Sequence, residues 1–324
     1  MPSPPGIVLV LTCEEDATAN LVIAELNARG ARMARVDTAD IGPGLSFAAH
    51  AGAGMPAWAG WLRTPSRHIP IEDVRSVYYR RPSLWRFDHL DPQAAEFARA
   101  EARHGLKGTL AALPACRYVN HPHSVDRAEV KPVQLQIAAD VGFEVPATLI
   151  TNDPAAVAAF AAEHGPIVYK SMRGVPAAPG GQVGAIWAQR IDPADVDDSL
   201  AITAHLFQAE VPKTADARVT VVAGQVFAQQ ITTPDGALDW RRGDWDHLCH
   251  TPIDVPAAVA AAARAYLDRL GLVFGCFDFA LQESPGSVRW TFLECNPNGQ
   301  WGWLPDAPAI ASAFADTLLE GSTT

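Results

Sequence analysis

The sequence predicts a mixed α/β protein of more than one domain. Three observations lead there. The chain opens with the apolar–helical–apolar order of a β-α-β unit, its texture changes after Asn120-His121-Pro122-His123, and it closes with two apolar strands that carry isolated acidic and amide side chains. At 324 residues it can bury a full core, and that length suits two domains or one large composite.

The elements follow in order. Gly6–Thr12 is a short apolar run, Asp16–Gly30 carries Leu21, Val22, Ala24 and Leu26 at helical spacing, and Ala31–Asp37 resumes a strand. Gly30 stands where a helix needs its C′ residue. Residues 45–64, with Phe47, Trp58 and Trp61 between Gly and Pro, predict a hairpin or meander. Val74–Tyr79 is a buried strand ending in Arg80-Arg81-Pro82. A helix over Pro92–Leu113 and a strand over Cys116–Asn120 complete the first part.

The second part opens with a helix over Ser124–Val141 and a strand over Ala147–Thr151. Asp153-Pro154 supplies an N-cap and an N1 proline for a helix to His164. Ile167–Met172 is a strand, residues 173–184 are a glycine-bearing loop, and Ala185–Ile191 and Leu206–Val211 are strands flanking a short helix. Arg218–Thr232 splits at Ala223-Gly224 into a hairpin. A helix over Pro256–Leu272, strands over Cys276–Gln282 and Val288–Cys295, and a helix over Ala309–Glu320 end the chain. The expected domains are 1–123, 124–205 and 206–324.

Composition narrows the function classes. With 25 Lys+Arg against 36 Asp+Glu, the net charge of -11 argues against a nucleic-acid or anionic-membrane binder, which needs a basic surface. No apolar run reaches the roughly 18 residues of a spanning helix. Met1-Pro2-Ser3-Pro4-Pro5 lacks the cationic start of a signal peptide. Five widely spaced cysteines without a C-x-x-C suit reduced thiols, so a cytoplasmic protein is expected.

Several catalytic signatures are missing: there is no Walker P-loop, no G-x-G-x-x-G after the first strand, no nucleophile elbow and no H-E-x-x-H. His247 and His250 have metal-pair spacing but adjoin Pro252 without a third ligand, so they read as loop histidines. His121 and His123 read as structural residues flanking a proline.

The chemistry concentrates near the end. Phe277-Asp278-Phe279 sets a carboxylate on an apolar strand. Sixteen residues later, Glu294 and Asn296 stand two apart, on one face of the next strand. Two antiparallel strands bring Asp278, Glu294 and Asn296 to one point, a hard oxygen set suited to Mg²⁺. The alternative is an edge strand whose polar residues face water. Upstream, Lys131 within a helix and Lys170 at a strand end sit in apolar settings. The order of two lysines, glycine-bearing loop, short strand Phe207–Val211, Asp216-x-Arg218 and the Asp/Glu/Asn set supplies what a nucleotide needs: cations and backbone N–H groups for phosphates, a strand edge for adenine, an acid for ribose hydroxyls and Mg²⁺ ligands.

This pattern resembles the ATP-grasp superfamily of carboxylate–amine ligases over residues 120–306. More narrowly, it resembles the maturases that close ω-ester rings in microviridin-type peptides (graspetides). The narrower resemblance rests on Tyr79-Arg80-Arg81-Pro82, Phe207-Gln208 with Val211-Pro212-Lys213, Arg218–Val222, Asp239-Trp240-Arg241 and Glu294–Trp301, which spread over nearly the whole chain. It implies an ATP-grasp fold with an N-terminal pre-ATP-grasp domain, a central α/β domain and a C-terminal domain with an antiparallel sheet. It further implies that Lys131 and Lys170 contact ATP phosphates, that Gln208, Glu210 and Val211 belong to the adenine hinge, and that Asp216 takes the ribose. Arg218 and Arg241 would face the γ-phosphate or acyl-phosphate, and Asp278, Glu294 and Asn296 would hold Mg²⁺. The position after Gln208, often acidic in the family, is Ala209 here.

The implied substrate is a ribosomal precursor peptide with a leader and an acidic core, and a homodimer is left open. Arg80, Arg81, Arg241 and Arg242 are candidates for a basic groove, with surface or interdomain salt bridges as the plain alternative. Trp301 and Trp303 either shape the peptide site or fill the core. Two rivals stand beside this reading: a ligase adding a free amino acid to a protein or small acceptor, and a catalytically silent ATP-grasp module that binds peptides.

Overall fold

The computed structural model describes residues 6–55, 57–113, 115–173, 186–233, 236–242 and 247–320. The loop expected over residues 173–184 therefore falls outside the described residues, apart from Arg173.

The opening apolar run forms β1 (Ile7–Leu11), buried throughout. Asp16 then caps α1 (Ala17–Ala28), its carboxylate accepting from the Ala19 N–H at 3.1 Å, and β2 (Met33–Val36) follows. The region over 45–64 is a meander of β3 (Ser46–His50), β4 (Ala59–Arg63) and one further strand, β5 (His68–Pro70). Gly60 is required where β4 crosses β3: its φ is 144°, and a Cβ there would stand 2.0 Å from the Ala48 carbonyl oxygen. β6 (Val74–Tyr79) returns to β1. The helix predicted from Pro92 runs as α2 (Pro92–Glu101), a π-helical stretch (Ala102–Lys107) and α3 (Gly108–Ala111). β7 (Arg117–Val119) completes a parallel sheet of order β2-β1-β6-β7.

The single helix expected over 124–141 is two, α4 (Pro122–Ala128) and α5 (Lys131–Asp140). Pro132 is the reason: it lacks an N–H and is tolerated only in a helix's first turn, so the chain starts afresh at Lys131. His121 caps α4, its ring Nδ1 accepting from the His123 N–H at 3.2 Å, which agrees with a structural reading of both histidines. β8 (Thr148–Thr151), α6 (Pro154–His164), β9 (Ile167–Lys170), β10 (Gln189–Ile191) and β11 (His205–Ala209) build a second, antiparallel sheet of order β10-β9-β11-β8. Two 3₁₀ turns stand where the short helix was expected.

β12 (Ala215–Val222), β13 (Gln225–Thr232), β14 (Cys249–Pro252), α7 (Ala257–Leu270), β15 (Phe274–Ser284) and β16 (Ser287–Asn296) follow, the strands forming an antiparallel sheet of order β14-β13-β12-β15-β16. One face of this sheet, with Val219, Val221, Phe277 and Phe279, packs with Tyr266 and Leu267 of α7 and Ile137 and Ala138 of α5 in the largest core.

The last helix, α8 (Ala307–Leu319), packs on α1 and the first sheet and also meets the third sheet at Val222 of β12 and Phe274 of β15. Phe314 stacks on Trp301 and meets Tyr78 of β6, and Ser76 donates to the Leu318 carbonyl at 2.8 Å. Asn120, buried after β7, is a second tie. Its amide donates to the Phe274 and Pro297 carbonyls at 2.8 Å each, and its oxygen accepts from Val273 and Phe274. No helix among the described residues is long and apolar enough to cross a membrane.

Candidate active site

Strand alternation sets the site. On β12 the side chains of Ala217, Val219 and Val221 point into the core, so those of Asp216, Arg218 and Thr220 occupy the opposite face. Register places Arg218 beside Asp278 of β15, and Asp278 beside Glu294 of β16, where the ladder shifts between Asp278 and Phe279. Arg218 Nη1 lies 2.8 Å from both Asp278 oxygens, and its Nη2 donates to the Gln300 carbonyl at 2.8 Å. The Asn296 amide reaches toward Glu294 Oε1 at 3.3 Å and Asp278 Oδ2 at 3.5 Å. The three side chains singled out in the sequence thus converge, with Asn296 turning its NH2 group to the two carboxylates.

Cations enclose them. Lys131, the first residue of α5 rather than a mid-helix one, puts Nζ 2.7 Å from Glu294 Oε2. Arg241, in a 3₁₀ turn, lies 3.3 Å from Glu294 Oε1 and grips Asp239 through two 2.8 Å bonds. Burial alone would raise the Glu294 pKa, but Lys131 and Arg241 hold the carboxyl well below its usual range. For Asp278 burial wins and the pKa moves up against the pull of Arg218. Lys170 ends β9, where burial presses its ammonium down to about 8 although Glu294 opposes the shift. Two carboxylates and a carboxamide form a hard oxygen donor set that leaves coordination positions for phosphate and water, which fits Mg²⁺.

A pocket of about 380 Å³ adjoins this cluster, lined by Val168, Lys170, Gln208, Ala209, Val211 and Lys213 on one side and Ala280 and Leu293 on the other. The Gln208 amide is fixed by Thr148 Oγ1 at 2.9 Å. Glu210 turns its carboxylate to Arg190, 2.7 Å away at both oxygens, while its backbone N–H donates to the Pro166 carbonyl. Asp216 is buried beside the pocket and gripped by Lys213 at 2.6–2.7 Å; burial still pushes its pKa up to about 6.

Two residues absent from the sequence's candidate set stand here. Lys213 lines the pocket, and its spacing three before Asp216 was the available signal. Asp239 orients Arg241 and accepts from the Ala188 N–H at 3.4 Å; its place two residues before Arg241 was the hint.

Arg80 belongs to no basic groove. It is buried, with Nε 3.4 Å from Asp16, Nη1 on the Asn298 carbonyl and Nη2 3.1 Å from Gln300 Oε1, which also accepts from Thr18. It is neither a surface arginine nor half of an interdomain salt bridge: its ion pair with Asp16 stays within residues 1–123, and its bonds to residues more than 200 positions away go to neutral acceptors. Arg81, next to it, is exposed. Trp301 is fully buried in the core; Trp303 packs its ring near Trp240 and His250.

The architecture is that of the ATP-grasp fold. Residues 7–126 match the family model described as the MvdD pre-ATP grasp domain. Over its full length the chain is similar to the macrocyclase MdnC of Microcystis aeruginosa, solved with its precursor peptide MdnA, at 27% identity and a TM-score of 0.84, covering 97% of this chain and 99% of that one. It is similar to MdnB of the same organism at 28% identity and a TM-score of 0.80, covering 98% and 100%. The fold of a Chryseobacterium gregarium ligase solved with ADP and a leader and core peptide superposes at a TM-score of 0.85 and 24% identity, covering 97% of each chain. A search of the curated proteins finds no match. The two macrocyclases are thus similar to this chain along nearly all of its length.

Proposed function

We propose that this protein is an ATP-dependent macrocyclase that joins Asp or Glu side chains of a ribosomal precursor peptide to Ser/Thr hydroxyls, as esters, or to Lys amines, as amides. The observation that carries this reading is the meeting of Lys131, Arg241 and the Arg218–Asp278 pair around Glu294 and Asn296, beside a pocket lined by Lys170 and Gln208. The pre-ATP-grasp match over residues 7–126 and the likeness to peptide macrocyclases along nearly the whole chain support the choice of substrate. The reading places the protein in the cytoplasm, in keeping with five unpaired cysteines.

MgATP supplies the phosphoryl group that makes a carboxylate an acyl-phosphate, which the hydroxyl or amine then attacks with loss of phosphate. The protein's part is positional and electrostatic. Gln208, Ala209 and Val211 line the adenine end, and Asp216 takes ribose hydroxyls with Lys213 beside it. Lys131 and Lys170 would hold phosphates, while Asp278, Glu294 and Asn296 would hold Mg²⁺. Arg218 and Arg241, fixed by Asp278 and Asp239, neutralise charge gathering on the transferred group without reorganising at the moment of reaction. No protein nucleophile is needed.

Mass spectrometry of a precursor peptide incubated with the protein and MgATP tests the reading. Loss of one water mass per ring, abolished in Asp278→Ala/Glu294→Ala, is the expected result. A mass gain of one amino acid would replace it with a free-amino-acid ligase, and absence of ADP release with a silent binding module.

A further inference from the structure

In the first sheet the chain leaves β1 for β2 on one side, and β6 continues to β7 on the other. The reversal falls between β1 and β6, and in open parallel sheets ligands lodge outside the carboxyl ends of the strands at such a point. Here that place is occupied by Thr12-Cys13 and Arg80-Arg81. Their backbones are tied together: Arg80 N–H donates to the Leu11 carbonyl at 2.9 Å and Cys13 N–H to the Arg81 carbonyl at 3.1 Å. Just beyond, Ser83 N–H donates to Asp37 at 3.0 Å and the Trp85 indole to the Thr38 carbonyl at 2.9 Å. The backbone at Arg81 is therefore fixed.

The same edge abuts the loop after β16. Arg80 Nη1 and Arg81 Nε both donate to the Asn298 carbonyl, the latter at 3.2 Å, and two residues on Gln300 accepts from Arg218. Three guanidiniums thus gather about one loop, close enough that the charges of Arg80 and Arg218 bear on Arg81. The carboxylates that answer them are Asp278, taken by Arg218, and Asp16, taken by Arg80, the Thr12 hydroxyl and the Ala19 N–H. Arg81 keeps its single bond through Nε. Among the described residues its two Nη groups have no partner, and the side chain is exposed.

We propose that Arg81 receives the substrate carboxylate, holding the Asp or Glu side chain presented to the Arg218/Arg241 site for activation. The inference rests on the proposed function only in taking a carboxylate-bearing peptide as the substrate. A guanidinium anchored through Nε with both Nη groups free offers parallel N–H donors to a carboxylate, geometry that a lysine ammonium lacks. Its fixed backbone and its excess positive charge select an acidic side chain over its amide.

The test is binding of a labelled synthetic peptide of Thr and Glu, and of its counterpart with Gln for Glu, followed by fluorescence anisotropy on the full chain. Wild-type protein is expected to prefer the Glu peptide. Arg81→Ala should reduce that preference about tenfold or more and Arg81→Lys keep part of it, with MgATP affinity unmoved. An unchanged preference in Arg81→Ala, or none in the wild type, overturns the proposal. If Arg81→Ala also loses MgATP, phenylglyoxal labelling of the wild type decides: protection of Arg81 by the Glu peptide alone supports the assignment, and equal labelling with either peptide overturns it. Ring closure is scored separately. An Arg81-dependent preference without water loss from a precursor would retain Arg81 and remove the macrocyclase reading.

Discussion

Lys131 and Glu294, 163 residues apart in sequence, meet as an ion pair of 2.7 Å. The first is a candidate for phosphate binding and the second for Mg²⁺, so their opposite charges hold each other in the place where a metal–phosphate group would lie between them. Arg241 shares the same carboxylate, which makes Glu294 the hinge of the site's electrostatics.

Replacing Glu294 therefore acts on stability as well as turnover. Its folded pKa lies below the unfolded value of about 4.3, so the stabilisation is full above that pH and fades as pH falls through the folded value. In thermal melts from pH 6 to pH 3, Glu294→Gln is expected to melt lower than wild type at pH 6, with the gap narrowing toward pH 3. A gap that stays constant would show that the carboxylate is not held by its cations.

Lys170 predicts a signature at the other end of the scale. Its folded pKa, about 8, lies below the unfolded value of about 10.4, so the ammonium is lost from the free protein as pH rises through 8. The kcat/KM for ATP should fall above that pH while kcat holds, because bound phosphates retain the proton. Lys170→Arg should stay flat to pH 10.

The hinge makes a negative prediction. With its carboxylate on Arg190, Glu210 offers the pocket no side chain, so Glu210→Ala should change ATP affinity less than about threefold. A loss beyond tenfold in a nucleotide titration would mean that the side chain leaves Arg190 for adenine.

Asn120 is the test of the tie between β7 and β15. Asn120→Ala strands four hydrogen-bonding groups of Phe274, Val273 and Pro297, three of them in buried bonds, and it should lower unfolding free energy by about 3 kcal/mol in urea titrations with the slope unchanged.

What the sequence revealed and what it hid divide along physical lines. β1, α1 and β2 were legible because an apolar run, helical spacing and Gly30 are local signals. The convergence of Asp278, Glu294 and Asn296 was legible because a strand repeats every two residues and the two strands follow one another closely. The break between α4 and α5 was written in Pro132 but masked by the apolar residues on either side. The burial of Arg80 was hidden for a different reason: its partners Asn298 and Gln300 lie more than 200 residues away, and local pattern carries no trace of them. Lys213 and Asp239 fall between, since each stands within three residues of its partner but looks like an ordinary surface charge.

The packing of α8 on the first sheet bears on how the protein is made. Val8, Val10, Val22 and Tyr78 share their core with Ile310, Phe314 and Leu318, which lie more than 200 residues later in the chain, so that core closes only after α8 has left the ribosome. During translation this apolar surface stays bare, and the protein's yield in a cell should depend on the chaperones that cover a nascent chain.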